Sequence, residues 1–206
     1  MKKLISAVLA GMCIALGGCA FLSIDSKILG ALFFTVGLFT ICTFGFDLFT
    51  GKVCYIPNND KSYAAYLPVI WIGNLFGAWL TAQLMLLTRI APIDEKAAAM
   101  CRLKLDDGLP SIFILSVFCN ILIYIAVDGF KNNSHETGKY LSLFFGVMVF
   151  IFCGFEHCIA NMFYISIADM WSTQALLMIA VNTLGNAAGG LLIPITKKLI
   201  LNKVPE

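Results

Sequence analysis

The chain has 206 residues, 60% of them hydrophobic and 13% charged, with a formal net charge of +2 and a mean hydropathy of +0.89. A soluble domain of this size cannot hide so much apolar surface behind a polar exterior, and so small a positive balance excludes nucleic acid as a partner. Its eight cysteines form no CxxC and no close pair at metal-ligand spacing, so no metal, redox motif or cofactor is expected.

In chain order, Met1-Lys2-Lys3 leads into an apolar run over residues 4–21 that contains Leu16-Gly17-Gly18-Cys19. Alone, this resembles a lipoprotein leader with its lipidated cysteine. Removing it would leave five spans and take the opening helix from an internal repeat, so residues 1–22 are read as the first span. The next runs free of Lys, Arg, Asp and Glu are residues 28–46, 62–88, 108–127 and 170–196. Most are near or above the ~20 residues a helix needs to cross the hydrocarbon core. A further run, residues 140–155, continues past Glu156 and His157 to residue 167. These runs predict an all-α integral membrane protein of six transmembrane helices.

The spans form two repeats. Gly73-Asn74-Leu75-Phe76-Gly77-Ala78 in the third span returns as Gly185-Asn186-Ala187-Ala188-Gly189-Gly190 in the sixth, and Gly45-Phe46-Asp47 returns as Gly154-Phe155-Glu156. Each half therefore holds three spans with an acid deep in the middle one: repeat one about residues 1–90, a linker over 91–108, repeat two about 109–200. Three being odd, the second half is inverted, which places a substrate path at the interface of the halves. The linker carries a short surface helix around residues 97–100, and residues 128–139 form a polar inner loop in which His135 is an ordinary solvated residue. With the N-terminus inside, the inner segments hold Lys2, Lys3, Lys52, Lys61, Lys131, Lys139, Lys197, Lys198 and Lys203, against Lys27, Arg89, Lys96, Arg102 and Lys104 outside. That excess predicts a multi-pass protein of the cell's inner (plasma) membrane with both termini cytoplasmic.

Gly73, Gly77, Gly185 and Gly189 match the small-xxx-small pattern of close helix contact, with Asn74 and Asn186 bonding nearby backbone. Association of protomers through these glycine faces is expected. Ionisable groups inside spans are costly and face the interior or an aqueous path. Asp47, Glu156 and His157 are such groups, and a glycine ahead of the adjacent Glu156 and His157 suggests a broken helix. On residue chemistry alone they either satisfy that break or exchange a proton with a permeant species.

The segment Gly154-Phe155-Glu156-His157-Cys158-Ile159-Ala160-Asn161-Met162-Phe163 resembles the fifth-helix signature of the formate/nitrite transporter family. Gly45-Phe46-Asp47-Leu48-Phe49-Thr50-Gly51 resembles its second-helix signature, and Cys119-Asn120-Ile121-Leu122 its fourth. Both Gly-Asn-x-x-Gly elements fit its third and sixth helices. The resemblance runs from about residue 4 to residue 200. It implies an aquaporin-like protomer with broken second and fifth helices, its own pore, and assembly as a homopentamer in the lipid bilayer. By motif position it implies constrictions at Phe34, Leu38 and Phe150, with Ile123 lining the wall. It further implies a pore centre of His157 bonded to Thr50 with Asn120 nearby, a vestibule lysine at Lys104, and Asp47 and Glu156 supporting the helix breaks. Without the resemblance, Phe34, Leu38 and Phe150 read as packing or lipid-facing residues, Lys104 as an interfacial charge beside Asp106 and Asp107, and Thr50 as a helix cap.

The chain departs from the family pattern in three places. It starts almost at the first span, where the resemblance implies a preceding cytoplasmic helix associated with gating. The connection over residues 166–173 is short, and Cys158 stands where serine is commoner. The function implied is a channel or transporter for small monovalent anions of weak acids, formate first, then nitrite or hydrosulfide, with permeation assisted by the central histidine and linked to protons. A neutral small-solute channel and a membrane-embedded enzyme using Glu156 and His157 are the alternatives. No second cluster of nucleophile or ligand residues favours the enzyme.

Overall fold

A computed structural model describes residues 1–90 and 92–201. Ala91 of the linker and residues 202–206, with Lys203 of the inner charge count, lie outside the described residues. The elements are α1 (Lys2–Ser23), α2 (Lys27–Phe44), α3 (Phe49–Val53), a 3-10 turn (Ile56–Asn58), α4 (Lys61–Leu86), α5 (Ile93–Leu105), α6 (Leu109–Asn132), α7 (Glu136–Cys153), α8 (Cys158–Ile167) and α9 (Thr173–Leu201). Among the described residues six helices, α1, α2, α4, α6, α7 and α9, are long and apolar enough to cross a membrane. Their outward side chains, such as Phe33, Phe118, Phe145 and Leu184, are apolar and exposed, as in a multi-pass membrane protein whose solvent is lipid.

The two halves repeat element for element. In each, a long helix packs on a partner through small residues: α1 on α4 in the first half, α6 on α9 in the second. A Cβ on Gly77 would lie 2.0 Å from the Val8 carbonyl oxygen, and one on Gly189 would lie 2.0 Å from that of Val117. Only glycine permits such an approach, and the dispersion contacts it brings hold helices together where water supplies no drive. The glycine faces are therefore consumed inside the protomer. Association of protomers through them, expected from sequence, is corrected: a face already covered by α1 or α6 is closed to a second copy.

The polar inner loop expected over residues 128–139 is also shorter. Helix α6 runs on to Asn132 and α7 begins at Glu136, because the Asp128 carboxylate takes the Asn132 amide one turn on and Glu136 pairs with Lys139 on α7. His135 is exposed at the N-cap position of α7. Helix α5 lies between the halves and buries Ile93, Ala97 and Cys101, a stripe at helical spacing. Lys96 on its exposed side reaches Asp25 of the α1–α2 turn at 2.8 Å, and that ammonium holds the Asp25 carboxyl below its ordinary range. The end of the molecule that carries α5 is called the α5 face below. The opposite end carries the N-terminus, α3, the α6–α7 turn and the end of α9.

Candidate functional site

Helices α2 and α7 both stop at exposed turns, from which the chain runs into the protein. Each ends on a left-handed glycine, Gly45 at φ 72° and Gly154 at φ 75°. The next residue's N–H reaches back to close the turn: Phe46 to the Ile41 carbonyl at 3.0 Å, Phe155 to the Phe150 carbonyl at 2.9 Å. The chain then extends through Leu48 or His157 before helix resumes as α3 or α8. Backbone exposed by such breaks must find partners within the protein, since the hydrocarbon core offers none.

One asparagine serves each break. Asn74 Oδ1 accepts from the Phe49 N–H at 2.8 Å, while its Nδ2 donates to the Asp47 carbonyl at 2.9 Å and the Ala7 carbonyl at 2.7 Å. Asn186 repeats the pattern: Oδ1 accepts from the Cys158 N–H at 2.9 Å, and Nδ2 donates to the Glu156 and Ser116 carbonyls at 2.8 Å each. Both asparagines are fully buried. The glycine that precedes each, and the one three residues after it, let the long helix come close enough for the amide to reach.

The two acids behave differently. Asp47 pairs with Lys52 of α3 at 2.8 Å and keeps some solvent contact. Glu156 is 3% exposed. Lys104 of α5 donates to both its carboxylate oxygens, at 2.7 and 2.8 Å, and Asn161 donates to Oε2 at 2.5 Å. The Glu156 carboxylate takes side chains rather than backbone donors, and the backbone at the break is held by Asn186 and by Asn182, whose Nδ2 donates to the Glu156 carbonyl at 2.9 Å. Asn182 also accepts from Asn161 and donates to Ser116 Oγ, both at 2.8 Å. The Lys104 ammonium thus sits on Glu156 rather than on Asp106 or Asp107.

Where the breaks meet, His157 Nε2 lies 3.0 Å from Thr50 Oγ1. The Ala160 N–H donates to His157 Nδ1 at 3.2 Å, so Nδ1 is the acceptor and the neutral ring carries its proton on Nε2. Thr50 Oγ1 then accepts from His157, and its own O–H is free to donate elsewhere. Asn120 Nδ2 donates to the Thr50 carbonyl at 3.1 Å, and Asn120 Oδ1, buried, has no partner among the described residues. The Phe150 ring stacks on His157 at 5.7 Å between centroids, and Phe34 meets Phe150 edge-on at 5.9 Å. Leu38 and Ile123 are 1% exposed.

Two cavities approach this centre from opposite ends. One of about 340 Å³ opens at the α5 face and is lined by Lys27, Lys104, Glu156, Phe150 and His157 among others. The other, of about 580 Å³, opens at the opposite face and is lined by Leu38, Gly51, Lys52 and Lys131 among others. Phe34, Thr50 and Ile123 line neither cavity and are buried. The structure thus brings His157, Thr50, Asn120, Phe34 and Phe150 together and sets Lys104 with Glu156 beside one cavity. Asp47 stands with Lys52, which lines the other.

Sequence reasoning missed Lys52, Asn161, Asn182 and Ser116. A signal was present for two of them: Lys52 follows Asp47 by five residues as Asn161 follows Glu156, so the repeat itself marks both as partners of the acid. Among the described residues no three His, Cys, Asp or Glu side chains gather as metal ligands.

The formate/nitrite transporter family model matches residues 1–198. The YrhG transporter of Bacillus subtilis, itself uncharacterized, is 32% identical over 154 residues, covering 69% of this chain and 58% of that protein. The probable formate transporter of Methanothermobacter thermautotrophicus is 30% identical over 195 residues, covering 80% of this chain and 71% of the other. Among solved structures, a pentameric formate channel with formate bound superposes with a TM-score of 0.80 at 26% identity, over 98% of this chain and 97% of that one.

Proposed function

The chain belongs to the formate/nitrite transporter family, and from that premise we propose that it is a channel for small monovalent anions of weak acids, formate foremost. It works in the cell's inner membrane with both termini cytoplasmic, as a homopentamer with one pore in each protomer. The relatives matched are channels and transporters rather than enzymes. The observation that carries the reading is the Thr50–His157 contact: it joins the two helix breaks and stands between cavities that open on opposite faces.

Leaving the cavity at the α5 face, a permeating anion meets Phe150 and Phe34, and at the other end Leu38 and Ile123. These groups remove its water without replacing it. Burying an ion costs several kcal/mol even after relaxation. Protonating a carboxylate of pKa about 4 at pH 7 costs roughly 4 kcal/mol. The two costs are comparable, so the species that crosses the apolar rings is close to neutral, and proton and anion move together. Lys104 has three N–H donors, two of them on Glu156; the third is left for an arriving anion. At the centre the Thr50 O–H donates to the anion while His157 Nε2–H holds the Thr50 oxygen.

Reconstituted liposomes test this. Formate, nitrite, hydrosulfide, acetate and lactate should enter in a manner that depends on the proton gradient. His157→Phe, similar in bulk but without nitrogens, should assemble as a pentamer in native mass spectrometry and lose import or become one-way. Bidirectional, proton-coupled flux in that variant at the parent rate would remove the histidine from the mechanism. Absence of anion flux in the parent would overturn the function.

A further inference from the structure

Beside the larger of the two cavities, with which it shares Tyr55 and Lys131, the face opposite α5 carries a polar cleft of about 490 Å³ between the 3-10 turn, the end of α6 and the end of α9, lined by Tyr55, Asp128, Lys131, Lys197 and Lys198 among others. Next to it an apolar furrow of about 430 Å³ runs along α9, lined by Leu192, Ile193, Thr196, Lys197 and Ile200. Lys197 lines both, so a charged pocket and an apolar channel meet at one side chain.

The charge of the cleft is not neutralised from within. Its single carboxylate among the described residues, Asp128, takes neutral donors on Oδ1: the Tyr55 O–H at 3.3 Å and Asn132 Nδ2 at 2.8 Å. Among the described residues the ion pairs within 4.0 Å involve Lys52, Lys96, Lys104 and Lys139, and none of the three cleft lysines. Lys198 donates to the Pro57 carbonyl at 2.9 Å, and Lys131 lies 5.2 Å from the centre of the Tyr55 ring. Three lysines and one carboxylate therefore line one cleft at the end of two spans, the level at which lysines reach for the interface. A soluble anion would fill the cleft and leave the furrow empty. A zwitterionic lipid would bring a second cation toward three already there, and so would a second copy of this face. A lipid with net negative charge matches both parts.

We propose that cleft and furrow together bind one anionic phospholipid, with its phosphate on Lys131, Lys197 and Lys198 and an acyl chain along Leu192, Ile193 and Ile200. The inference does not depend on which anion the pore conducts.

The test uses the purified full-length assembly, stripped of lipid in detergent and titrated with phosphatidylglycerol, phosphatidylcholine of the same chains, or inorganic phosphate. Native mass spectrometry and thermal melting are the readouts. Phosphatidylglycerol should bind at one molecule per chain and on the order of tenfold tighter than phosphatidylcholine, with inorganic phosphate raising the melting temperature little. Exchanging Lys131, Lys197 and Lys198 for Gln should abolish that preference. Ile193→Trp, which fills the furrow, should weaken both lipids. Equal binding of the two lipids, a full effect from inorganic phosphate alone, or an unchanged preference in the lysine variant would each overturn the proposal. So would a change in subunit number in that variant with lipid binding intact, which would make this face a contact between copies.

Discussion

The break after α2 and the break after α7 share a backbone and differ in nearly everything attached to it. Each has a left-handed glycine, a returning N–H and an asparagine that bonds the carbonyl before the new helix and the first N–H within it. The acid in the first break is partly open and answered by a lysine on its own short helix. The acid in the second is sealed in and answered by a lysine from the linker helix, with Asn161 at the position that Lys52 holds in the first half. Leu48 stands where the second half has His157. The first half leaves its acid–lysine pair beside a cavity, which Lys52 lines. The second carries the buried polar network, on a helix, α8, whose ten residues are all buried. Duplication preserved the device that satisfies the backbone and released the side chains for different work.

The difference in burial gives the largest expected effect. Lys104→Met takes the ammonium from a sealed carboxyl group and leaves Glu156 with Asn161 as its remaining donor. Breaking a buried pair from one side costs about 3–5 kcal/mol. Lys52→Met at the partly buried counterpart should cost less, about 1–2 kcal/mol. Thermal melting of the two variants in detergent reads the contrast, and equal losses would erase the distinction between the halves.

A smaller effect sharpens the comparison at the asparagines. Asn74→Leu keeps the volume but orphans the Phe49 N–H and the Asp47 carbonyl, on the order of 2–5 kcal/mol. Asn186→Leu should cost about half as much, because Asn182 still holds the Glu156 carbonyl. Adding Asn182→Leu to Asn186→Leu should bring the second half level with the first. Hydrogen exchange at Phe49 and Cys158 localises the damage. If Asn186→Leu proves the worse of the two single variants, the network around Glu156 gives no redundancy.

The smallest effect should be the same in both halves. A Cβ at Gly45 or Gly154 meets nothing within 4 Å, so alanine at either adds only left-handed strain, about 1–2 kcal/mol. Paired melting curves should shift alike; a larger loss at one would reveal packing demands that the open space does not show.

Much of this was readable before any coordinates. Charge-free runs of membrane length located the spans, the return of Gly-Asn-x-x-Gly and of glycine before an acid located the repeat, and glycine ahead of Glu156 and His157 pointed to the second break, while the first came only with the family resemblance. These signals are local and periodic. What was hidden is set by partners far apart in sequence. Lys104 lies among aspartates in the chain yet reaches Glu156, 52 residues on. Asn182 is one polar residue in a long span, and nothing local says that its amide turns toward the Glu156 carbonyl. The glycine stripes announced close contact without naming the partner, which proved to be a helix of the same half.

The asparagine brackets have one more consequence, for descent. Among the described residues every side-chain hydrogen bond of Asn74 ends on Ala7, Asp47 or Phe49. The main-chain bonds of Asn186 end on Ser116, Glu156 and Cys158. Neither bracket borrows from the other half, so a half-length ancestor could have satisfied its own interrupted helix and paired with an upside-down sibling. Fusion of two such genes would have needed only a connector, and the connector present now, α5, is the segment that brought Lys104 to the second acid.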